Sequence, residues 1–334
     1  MPALTVGEDI SFYYTDSGPQ ADSEYTTLVF IHGHTFHSGV FQRLVPFAPG
    51  RRLRIICLNR REYPESTPYS TDERKTILDG SDTDRAEFLH QQGVLIALFI
   101  HVLIQELSLP EKVGVVGWSM GTIFSVAALA SIDRVPETTR ARLRTHVKHF
   151  FLLDPPSQGL GIPNPPNAYN PLWDDDLPPE TRGPAFGKWV SSYFHHEDLL
   201  SRDISLLSMR APDASKTPTI ESLTHEELSS VASFESGSRV ETILVESEFR
   251  VALAAQTHKA LFDSDITAMW GNPQVWHLHG EATTWNSVYA AWMLEEKART
   301  SKDVRFKPLS GANHFFMWEE PERFLDVLME CMGS

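Results

Sequence analysis

Cysteine and long hydrophobic runs are both scarce in this chain, and each scarcity excludes a class of protein. The cysteines among the 334 residues are Cys57 and Cys331, too few for the disulfide framework of a small secreted domain and compatible with a reducing compartment. The first residues, MPALTVGEDISFYYTD, lack the basic region and apolar core of a secretory signal. The longest apolar stretch, residues 94–104, is shorter than a bilayer span and predicts a buried helix. We therefore expect a cytoplasmic protein that does not insert into membranes.

Basic residues are also few: 29 Lys and Arg stand against 44 Asp and Glu, for a formal net charge of -15. A field of this sign repels nucleic-acid phosphates and anionic lipid headgroups. The expected partner is therefore a hydrophobic or weakly polar small molecule, and self-association as a homodimer is allowed. The histidines of HGHTFH, which are His32, His34 and His37, lack the H-E-x-x-H pattern and a neighbouring carboxylate, so we predict neither a metal site nor a cofactor.

Strand-like and helix-like segments alternate through the first half of the chain. This alternation favours an α/β fold with a mostly parallel central sheet flanked by helices. β-branched and aromatic residues followed by turn residues mark the predicted strands, which cover residues 10–16, 26–31, 52–58, 112–118 and 146–153. Beyond residue 270, PQVWHLHG and DVRFKPLSG restore the strand pattern, and PERFLDVLMECM predicts a closing amphipathic helix.

The character of the sequence changes after Asp154. Prolines crowd the stretch PPSQGLGIPNPPNAYNPLWDDDLPPETRGP, where no regular element would hold them. Helical patterns follow at residues 186–207, 221–234 and 239–261, without a convincing strand among them. We predict that residues 155–269 form a Pro-rich, mainly helical cap inserted into a core made of residues 1–154 and 270–334.

Residues 117–121, GWSMG, match the pattern G-x-S-x-G between a β-rich run and a helix-compatible segment. In a nucleophile elbow the serine lies in a strained strand-to-helix turn, and the glycines remove side chains that would collide with neighbouring elements. The pentapeptide alone is equally an ordinary glycine turn. Two distant stretches favour the elbow: VFIHGHTF places Gly33 just after a strand, and LSGANHFF places His314 between the last predicted strand and the last helix.

A serine elbow in mid-chain followed by a histidine near the end resembles the order found in the α/β-hydrolase superfamily. The resemblance covers nearly the whole chain and implies an α/β-hydrolase fold with a helical cap. LNRREYPESTPYS, residues 58–70, is similar to the superfamily loop N/D-x-R-G-x-G-x-S, although Glu62 and Glu65 stand in place of the usual glycines. The stretch LLDPPSQGLGIPNPPNAYNPLWD also resembles segments of filamentous-fungal α/β-hydrolases.

The chemistry of acyl transfer gives these residues expected roles. A serine hydroxyl is a poor nucleophile near neutral pH, so His314 would accept the proton of Ser119 and later return it to the leaving group. The backbone N–H groups of Met120 and His34 are expected to form an oxyanion hole, in which each donor stabilises the transition state by about 3 kcal/mol.

The third member of the predicted triad has two candidates. The resemblance implies an acid three residues after the glycine that ends the penultimate strand, a position that Thr283 occupies in this chain. Some relatives place the acid after the preceding core strand, where HFFLLDPPSQ offers Asp154. We favour Asp154, with Glu281 as the alternative acid. Asp154 would otherwise be an aspartate that merely starts a proline-rich turn.

Aromatic and aliphatic residues in the predicted cap indicate the kind of ligand. Trp189 and Tyr193, together with Gly33 and Trp118 on the core side, are predicted to bind a hydrophobic small molecule. Ordinary packing between cap and sheet explains these aromatic residues equally well. We interpret the chain as a serine hydrolase that cleaves an ester or lactone, with fungal secondary metabolism implied by the resemblance. A lyase or cyclase on the same fold, and a ligand-binding protein with little turnover, are the alternatives.

Overall fold

An eight-stranded sheet forms the centre of the computed structural model, which describes residues 3–7, 9–21, 24–299 and 304–333. The strands are β1 (Ala3–Val6), β2 (Ile10–Asp16), β3 (Thr26–Ile31), β4 (Leu53–Leu58), β5 (Val113–Trp118), β6 (Val147–Leu153), β7 (Gln274–Gly280) and β8 (Val304–Leu309). Their spatial order is β1-β2-β4-β3-β5-β6-β7-β8. β1 pairs antiparallel with β2 and β2 with β4, and every other neighbouring pair is parallel. The predicted α/β fold with a mostly parallel sheet is therefore confirmed.

Two interior strands of the sheet, β4 and β5, explain why it needs helices on both faces. Every residue of β4 and β5 is buried, the pattern of strands covered above and below. The α-helices of the described ranges are α1 (Thr71–Asp79), α2 (Asp82–Glu106), α3 (Gly121–Ala130), α4 (Glu137–His146), α5 (Pro179–Val190), α6 (Thr219–Ser222), α7 (His225–Val231), α8 (Phe234–Arg239), α9 (Arg250–Phe262), α10 (Ser264–Met269), α11 (Trp285–Ala298), α12 (Phe316–Glu319) and α13 (Pro321–Gly333).

The longest helix, α2, begins at a capping box in which the side chains of Ser81 and Asp84 each accept from the other's backbone N–H. By length and composition alone α2 is able to cross a membrane, but 56% of its most apolar window is buried inside the protein. It packs against α3, α4 and α9. These contacts are those of a core helix in a globular domain.

The segment 155–269 contains less helix than its sequence pattern predicts. The helix expected over residues 186–207 ends with α5 at Val190. Beyond it, Asp198 and Asp203 accept hydrogen bonds from nearby backbone N–H groups and so stabilise turns in place of a helix. Residues 239–249 are mostly short 3₁₀ turns, and the regular helix, α9, starts only at Arg250. α9 packs on α3 and α2. The division of residues 155–269 between cap and core stays a proposal.

The loop after β4 keeps a backbone that glycine would adopt more easily. Glu62 has a φ of 73°, in the left-handed region that is sparsely populated by residues with a side chain. Its buried carboxylate accepts hydrogen bonds from the backbone N–H of Tyr69 and from the side chains of Arg74 and Arg239. These bonds offset the conformational cost, so the chain tolerates glutamate where the resemblance implies glycine.

Candidate active site

Ser119 lies in a strained turn between β5 and α3. Its φ is 54°, and its N–H donates to the carbonyl oxygen of Leu153 at 2.8 Å, which ties the turn to the end of β6. Gly121 has no room for a side chain, since a Cβ there would lie 2.1 Å from the carbonyl oxygen of Ile31. The backbone of residues 117–121 thus has the geometry of a nucleophile elbow.

Asp154 and His314 form a buried pair beside Ser119. Asp154 directly follows β6, with a φ of 50°, and its N–H donates to the carbonyl oxygen of Leu278 at 2.7 Å. Nδ1 of His314, on the loop after β8, is hydrogen-bonded to Oδ2 of Asp154. The two side chains are only 4% and 3% exposed. A carboxylate held on Nδ1 fixes the orientation of an imidazole ring and leaves its Nε2 for proton transfer.

The Asp154 carboxylate is held by two further donors. The N–H of Gly280 donates to Oδ1 at 3.0 Å, and the hydroxyl of Thr283 donates to Oδ2. Thr283, where the resemblance implies an acid, therefore supports the acid from the neighbouring strand. Glu281 lies half-buried on the turn after β7, where its N–H donates to Leu309 at 3.0 Å. Of the two candidate acids, the structure brings Asp154 to His314.

Two backbone N–H groups are available next to Ser119. Neither His34 nor Met120 donates its backbone N–H to any acceptor in the described part of the chain. The loop that carries His34 touches the serine, because a Cβ on Gly33 would lie 2.8 Å from Cβ and 3.2 Å from Oγ of Ser119. Free donors at this place are what an oxyanion hole requires.

Ser119 and His314 line one cavity of about 40 Å³, enough for a few water molecules. Its other lining residues are His34, Met120, Pro156, Gln158, Asn170, Leu172, Trp173, Phe186, Trp189, Val190, Val245, Thr284, Asn286 and Ser287. Among the hydrogen bonds of the described residues, none joins Ser119 to His314. Such contacts commonly tighten only in the complex with substrate.

A second, larger cavity of about 400 Å³ adjoins the first. Gln158, Trp173 and Val245 line both cavities and so form the partition between them. We call the cavity that contains Ser119 the inner cavity and the larger one the outer cavity. The outer cavity is otherwise lined by Ile162, Pro163, Asn164, Glu246, Ser247, Glu248 and Arg250. The indole N–H groups of Trp173 and Trp189 are buried without a hydrogen-bond partner among the described residues, which leaves two donors unused in the wall of the inner cavity.

The four residues predicted to bind substrate have different positions. Trp189 lines the inner cavity, and Gly33 packs against Ser119. Trp118 lies beneath the site rather than in its wall: it is 1% exposed, and its indole N–H donates to the carbonyl oxygen of His314 at 3.0 Å. Tyr193 lies outside the lining of both cavities, with Nζ of Lys216 4.5 Å from its ring centre. Contact of Tyr193 with a substrate therefore stays a prediction.

Two of the three histidines in residues 32–37, His32 and His34, are engaged in hydrogen bonds within the protein. The ring nitrogens of His32 contact the carbonyl oxygen of Gly33 and the backbone N–H of Arg60, each at 2.9 Å. Nε2 of His34 lies 3.1 Å from the carbonyl oxygen of Gly237. Burial lowers the pKa of His32 and of His34, so both rings are neutral near neutral pH. Within the described ranges, no three His, Cys, Asp or Glu side chains are grouped so as to hold a metal ion.

A buried ion pair that the sequence does not predict lies behind the site. Arg60, after β4, pairs with Glu241 from the segment 155–269, and their side chains are 1% and 0% exposed. The hydroxyl of Tyr63 donates to Oε2 of Glu241 at 2.6 Å. Glu241 lies 181 residues from Arg60 along the chain. No local motif reports such a pair, and an Arg on a loop followed far away by a Glu is an unremarkable pattern in any sequence.

Fold and elbow together are those of an α/β-hydrolase with serine at the nucleophile position. Residues 28–327 match the model of the Alpha/beta hydrolase family, and the chain belongs to that family. No curated protein matches the chain significantly.

Solved structures share the fold at low sequence identity. A mutant of the epoxide hydrolase from Solanum tuberosum is 16% identical with a TM-score of 0.56, and the match covers 99% of each chain. An esterase from Rhodococcus sp. ECU1013 is 15% identical with a TM-score of 0.55 and covers 99% of this chain and 98% of its own. A putative aryl esterase from Burkholderia cenocepacia is also 15% identical with a TM-score of 0.55, over 99% and 97%. At these identities the likeness establishes the fold alone.

Proposed function

We propose that the protein is a serine hydrolase that cleaves an ester or lactone of a small molecule through Ser119, His314 and Asp154. The observation that carries the proposal is the meeting of three features in one cavity: a serine on a strained elbow, a histidine oriented by a buried carboxylate, and two free backbone N–H groups. Each feature has a separate structural explanation, but acyl transfer requires all three together.

In the first half-reaction, Nε2 of His314 takes the proton of Ser119 Oγ as that oxygen attacks the carbonyl carbon. The carbonyl oxygen becomes an oxyanion between the N–H groups of His34 and Met120. The C–O bond to the alcohol then breaks, and His314 returns the proton to the leaving oxygen. Water repeats the sequence on the acyl-enzyme and releases the acid, while Asp154 stabilises the imidazolium at each step.

The two cavities support a substrate larger than the inner cavity alone would admit. Sites for small molecules commonly measure about 300–1,000 Å³, the range of the outer cavity but far above the inner one. We therefore place the scissile bond in the inner cavity, and the bulk of the molecule beyond the partition of Trp173 and Val245. The inner wall combines apolar side chains such as Phe186 with amides such as Asn170, which suits a hydrophobic molecule carrying a few hydrogen-bonding groups.

The outer cavity does not favour an anionic substrate. Glu246 and Glu248 line it together with the single cation Arg250, and the whole chain carries a net charge of -15. Glu248 also acts on its neighbour, since burial and then the nearby carboxylate raise the pKa of Glu246. We propose neutral secondary metabolites, polyketide-like esters or lactones among them, in keeping with the resemblance of the proline-rich stretch to filamentous-fungal proteins.

A lyase or cyclase is the second candidate, favoured by one observation. Because no described hydrogen bond joins Ser119 to His314, the histidine would be free to move protons on a substrate while the serine only positions it. This reaction would leave no acyl-enzyme.

A fluorophosphonate probe separates the two candidates. We expect it to label the intact protein but not Ser119→Ala protein, and we expect p-nitrophenyl ester turnover to be lost in the same variant. Ser125→Ala, a change to a buried serine on α3 outside the cavity, is the matched control and should keep both signals. Absence of labelling and of ester turnover in the intact protein would refute the hydrolase and favour the lyase.

A further inference from the structure

The peptide between Gly33 and His34 carries one of the two proposed oxyanion donors, and its carbonyl oxygen is bound from behind. Nη2 of Arg60 donates to this oxygen at 2.8 Å, and Nδ1 of His32 contacts it at 2.9 Å. Nε of Arg60 also donates to the carbonyl oxygen of His32 at 2.9 Å. Since the N–H of a peptide is coplanar with its C=O, donors fixed on the oxygen fix the direction of the N–H.

The proton positions on His32 follow from its neighbours. The backbone N–H of Arg60 donates to Nε2 of His32, so Nε2 is the acceptor nitrogen. In the neutral ring Nδ1 then carries the hydrogen and donates to Gly33, in agreement with the lowered pKa of His32, which burial causes first and the charge of Arg60 second. The oxygen of the Gly33–His34 peptide therefore receives two donors, one of them charged.

We propose that Arg60 is a positioning residue that aims and polarises the His34 N–H for the oxyanion, and that Glu241 holds Arg60 in place. Hydrogen bonds to a peptide oxygen draw charge from the nitrogen and strengthen its N–H as a donor, by about 10–30% per bond in condensed phases. The proposal rests on the proposed hydrolase function, because it assigns the reacting carbonyl oxygen to this N–H.

Glu241 connects the segment 155–269 to both sides of the His34 peptide. Its carboxylate accepts two bonds from the guanidinium of Arg60 and one from the hydroxyl of Tyr63. The same hydroxyl accepts from the backbone N–H of Thr35 at 2.8 Å. Arg60 therefore holds the peptide bond before His34, while Tyr63 holds the one that follows it.

The charges in this cluster require one another. Burial alone would lower the pKa of Arg60, but Glu241 keeps it above its ordinary value, so the side chain stays cationic. The pKa of the Tyr63 hydroxyl is raised, by burial first and by Glu241 second, so Tyr63 stays a neutral donor to the carboxylate. By pairing with Arg60, Glu241 thus keeps a buried cation next to the peptide that carries the His34 N–H, without leaving that charge unpaired.

A second Arg–Glu pair on the same loop provides a matched control. Arg61 pairs with Glu73, and its guanidinium donates to the carbonyl oxygens of Thr67 and Pro68 at 3.3 and 2.7 Å. The Arg61 side chain is 3% exposed, nearly as buried as that of Arg60. Its bonds stay within the loop and the first turn of α1, and none of them reaches the Gly33–His34 peptide. The two pairs therefore differ in what they hold rather than in how buried the arginine is.

The test replaces each pair by neutral side chains and compares kcat with KM. For Arg60→Met combined with Glu241→Gln we expect kcat for a p-nitrophenyl ester to fall about 10- to 100-fold, less than the loss of an entire oxyanion donor, with KM changed less than about threefold. Affinity for an arylboronic acid, which mimics the tetrahedral intermediate, should fall by the same factor. Arg61→Met combined with Glu73→Gln should leave both quantities within about twofold of the wild type.

Arg60→Lys serves if the double variant does not fold. Lysine keeps the charge next to Glu241 but lacks the planar fork that spans two carbonyl oxygens, so we expect a three- to tenfold lower kcat. A kcat within twofold of the wild type in the Arg60 variants, equal losses in the two pairs, or a change in KM alone would overturn the proposal. Wild-type protein that neither reacts with a fluorophosphonate nor hydrolyses esters would contradict the hydrolase function itself, a separate outcome.

Discussion

Replacing Asp154 with asparagine tests which proton the imidazole of His314 carries. The native carboxylate accepts on both oxygens: Oδ1 from the N–H of Gly280, and Oδ2 from Thr283 and His314. An amide has only one accepting oxygen. If that oxygen stays on Gly280, its NH₂ group points at Nδ1 of His314, which must then accept, so the ring proton moves to Nε2 and the base for Ser119 is blocked.

The opposite orientation of the amide is the costly one. It would set the NH₂ group against the N–H of Gly280 and leave a buried donor unsatisfied, at about 1–3 kcal/mol. The competent orientation is then populated at roughly 1–20%, and the amide lacks the charge that stabilises imidazolium. We expect kcat of Asp154→Asn protein to fall about 100- to 10,000-fold, with little change in KM or in the thermal unfolding midpoint.

The assay is steady-state hydrolysis of a p-nitrophenyl ester, with Glu281→Gln as the control. Glu281 lies on the turn after β7, and His314 bonds to Asp154 instead, so the control should keep its activity within about threefold. A kcat of Asp154→Asn protein within tenfold of the wild type, or a larger loss in Glu281→Gln protein, would refute the assignment of Asp154.

Two further predictions concern the outer cavity and the buried histidines. Ser247→Trp would fill the outer cavity from an exposed position. If three substrate methylenes then lose burial at about 0.8 kcal/mol each, kcat/KM for long-chain esters falls about 50-fold, while acetate esters and the Ser247→Ala control are unaffected. Equal effects on short and long esters would contradict the placement of the substrate in the outer cavity. Burial lowers the pKa of His277 well below 6.5 and that of His149 to about 4, so on acidification the unfolded chain binds protons that the folded chain does not. The midpoint of unfolding by denaturant should therefore decrease as pH falls from 6.5 toward 4. His277→Phe should reduce this dependence on pH, and the control His225→Asn, at an exposed position, should not.

Much of the fold was predictable because strands and elbow leave local signals. Alternating β-rich and helical segments give the parallel sheet, and GWSMG between a strand and a helix gives the turn at Ser119. Asp154 was identifiable as the residue that directly follows a strand and His314 as a residue of the loop after the last strand, since parallel strands bring their carboxyl ends to one edge of the sheet. Strand β1 was missed because four residues at the edge are too short for a clear alternation.

The rest depends on contacts between distant parts of the chain. The helix expected through residue 207 ends at Val190, and aspartate side chains beyond it cap turns, a local competition that helical periodicity does not report. The pairing of Arg60 with Glu241 is decided by how the segment 155–269 lies on the core, and either residue alone reads as a surface charge. Tyr193 follows the end of α5 at Val190, so helical periodicity does not report its position relative to the cavities.

Asp154 lies immediately before the long segment 155–269, and this position affects how proteins with the same arrangement can change the molecules that they admit. Ser119 and Asp154 directly follow the neighbouring strands β5 and β6, in which Trp118 lies opposite Leu153, so the hydrogen-bonded register of the two strands sets their spacing. The part of the segment before α9, which packs on α3 and α2, can then lengthen, shorten or be exchanged as one continuous stretch without moving that spacing. Grafting a foreign segment onto this core should therefore change which molecules enter while sparing the reaction, provided that the graft brings a carboxylate to meet Arg60.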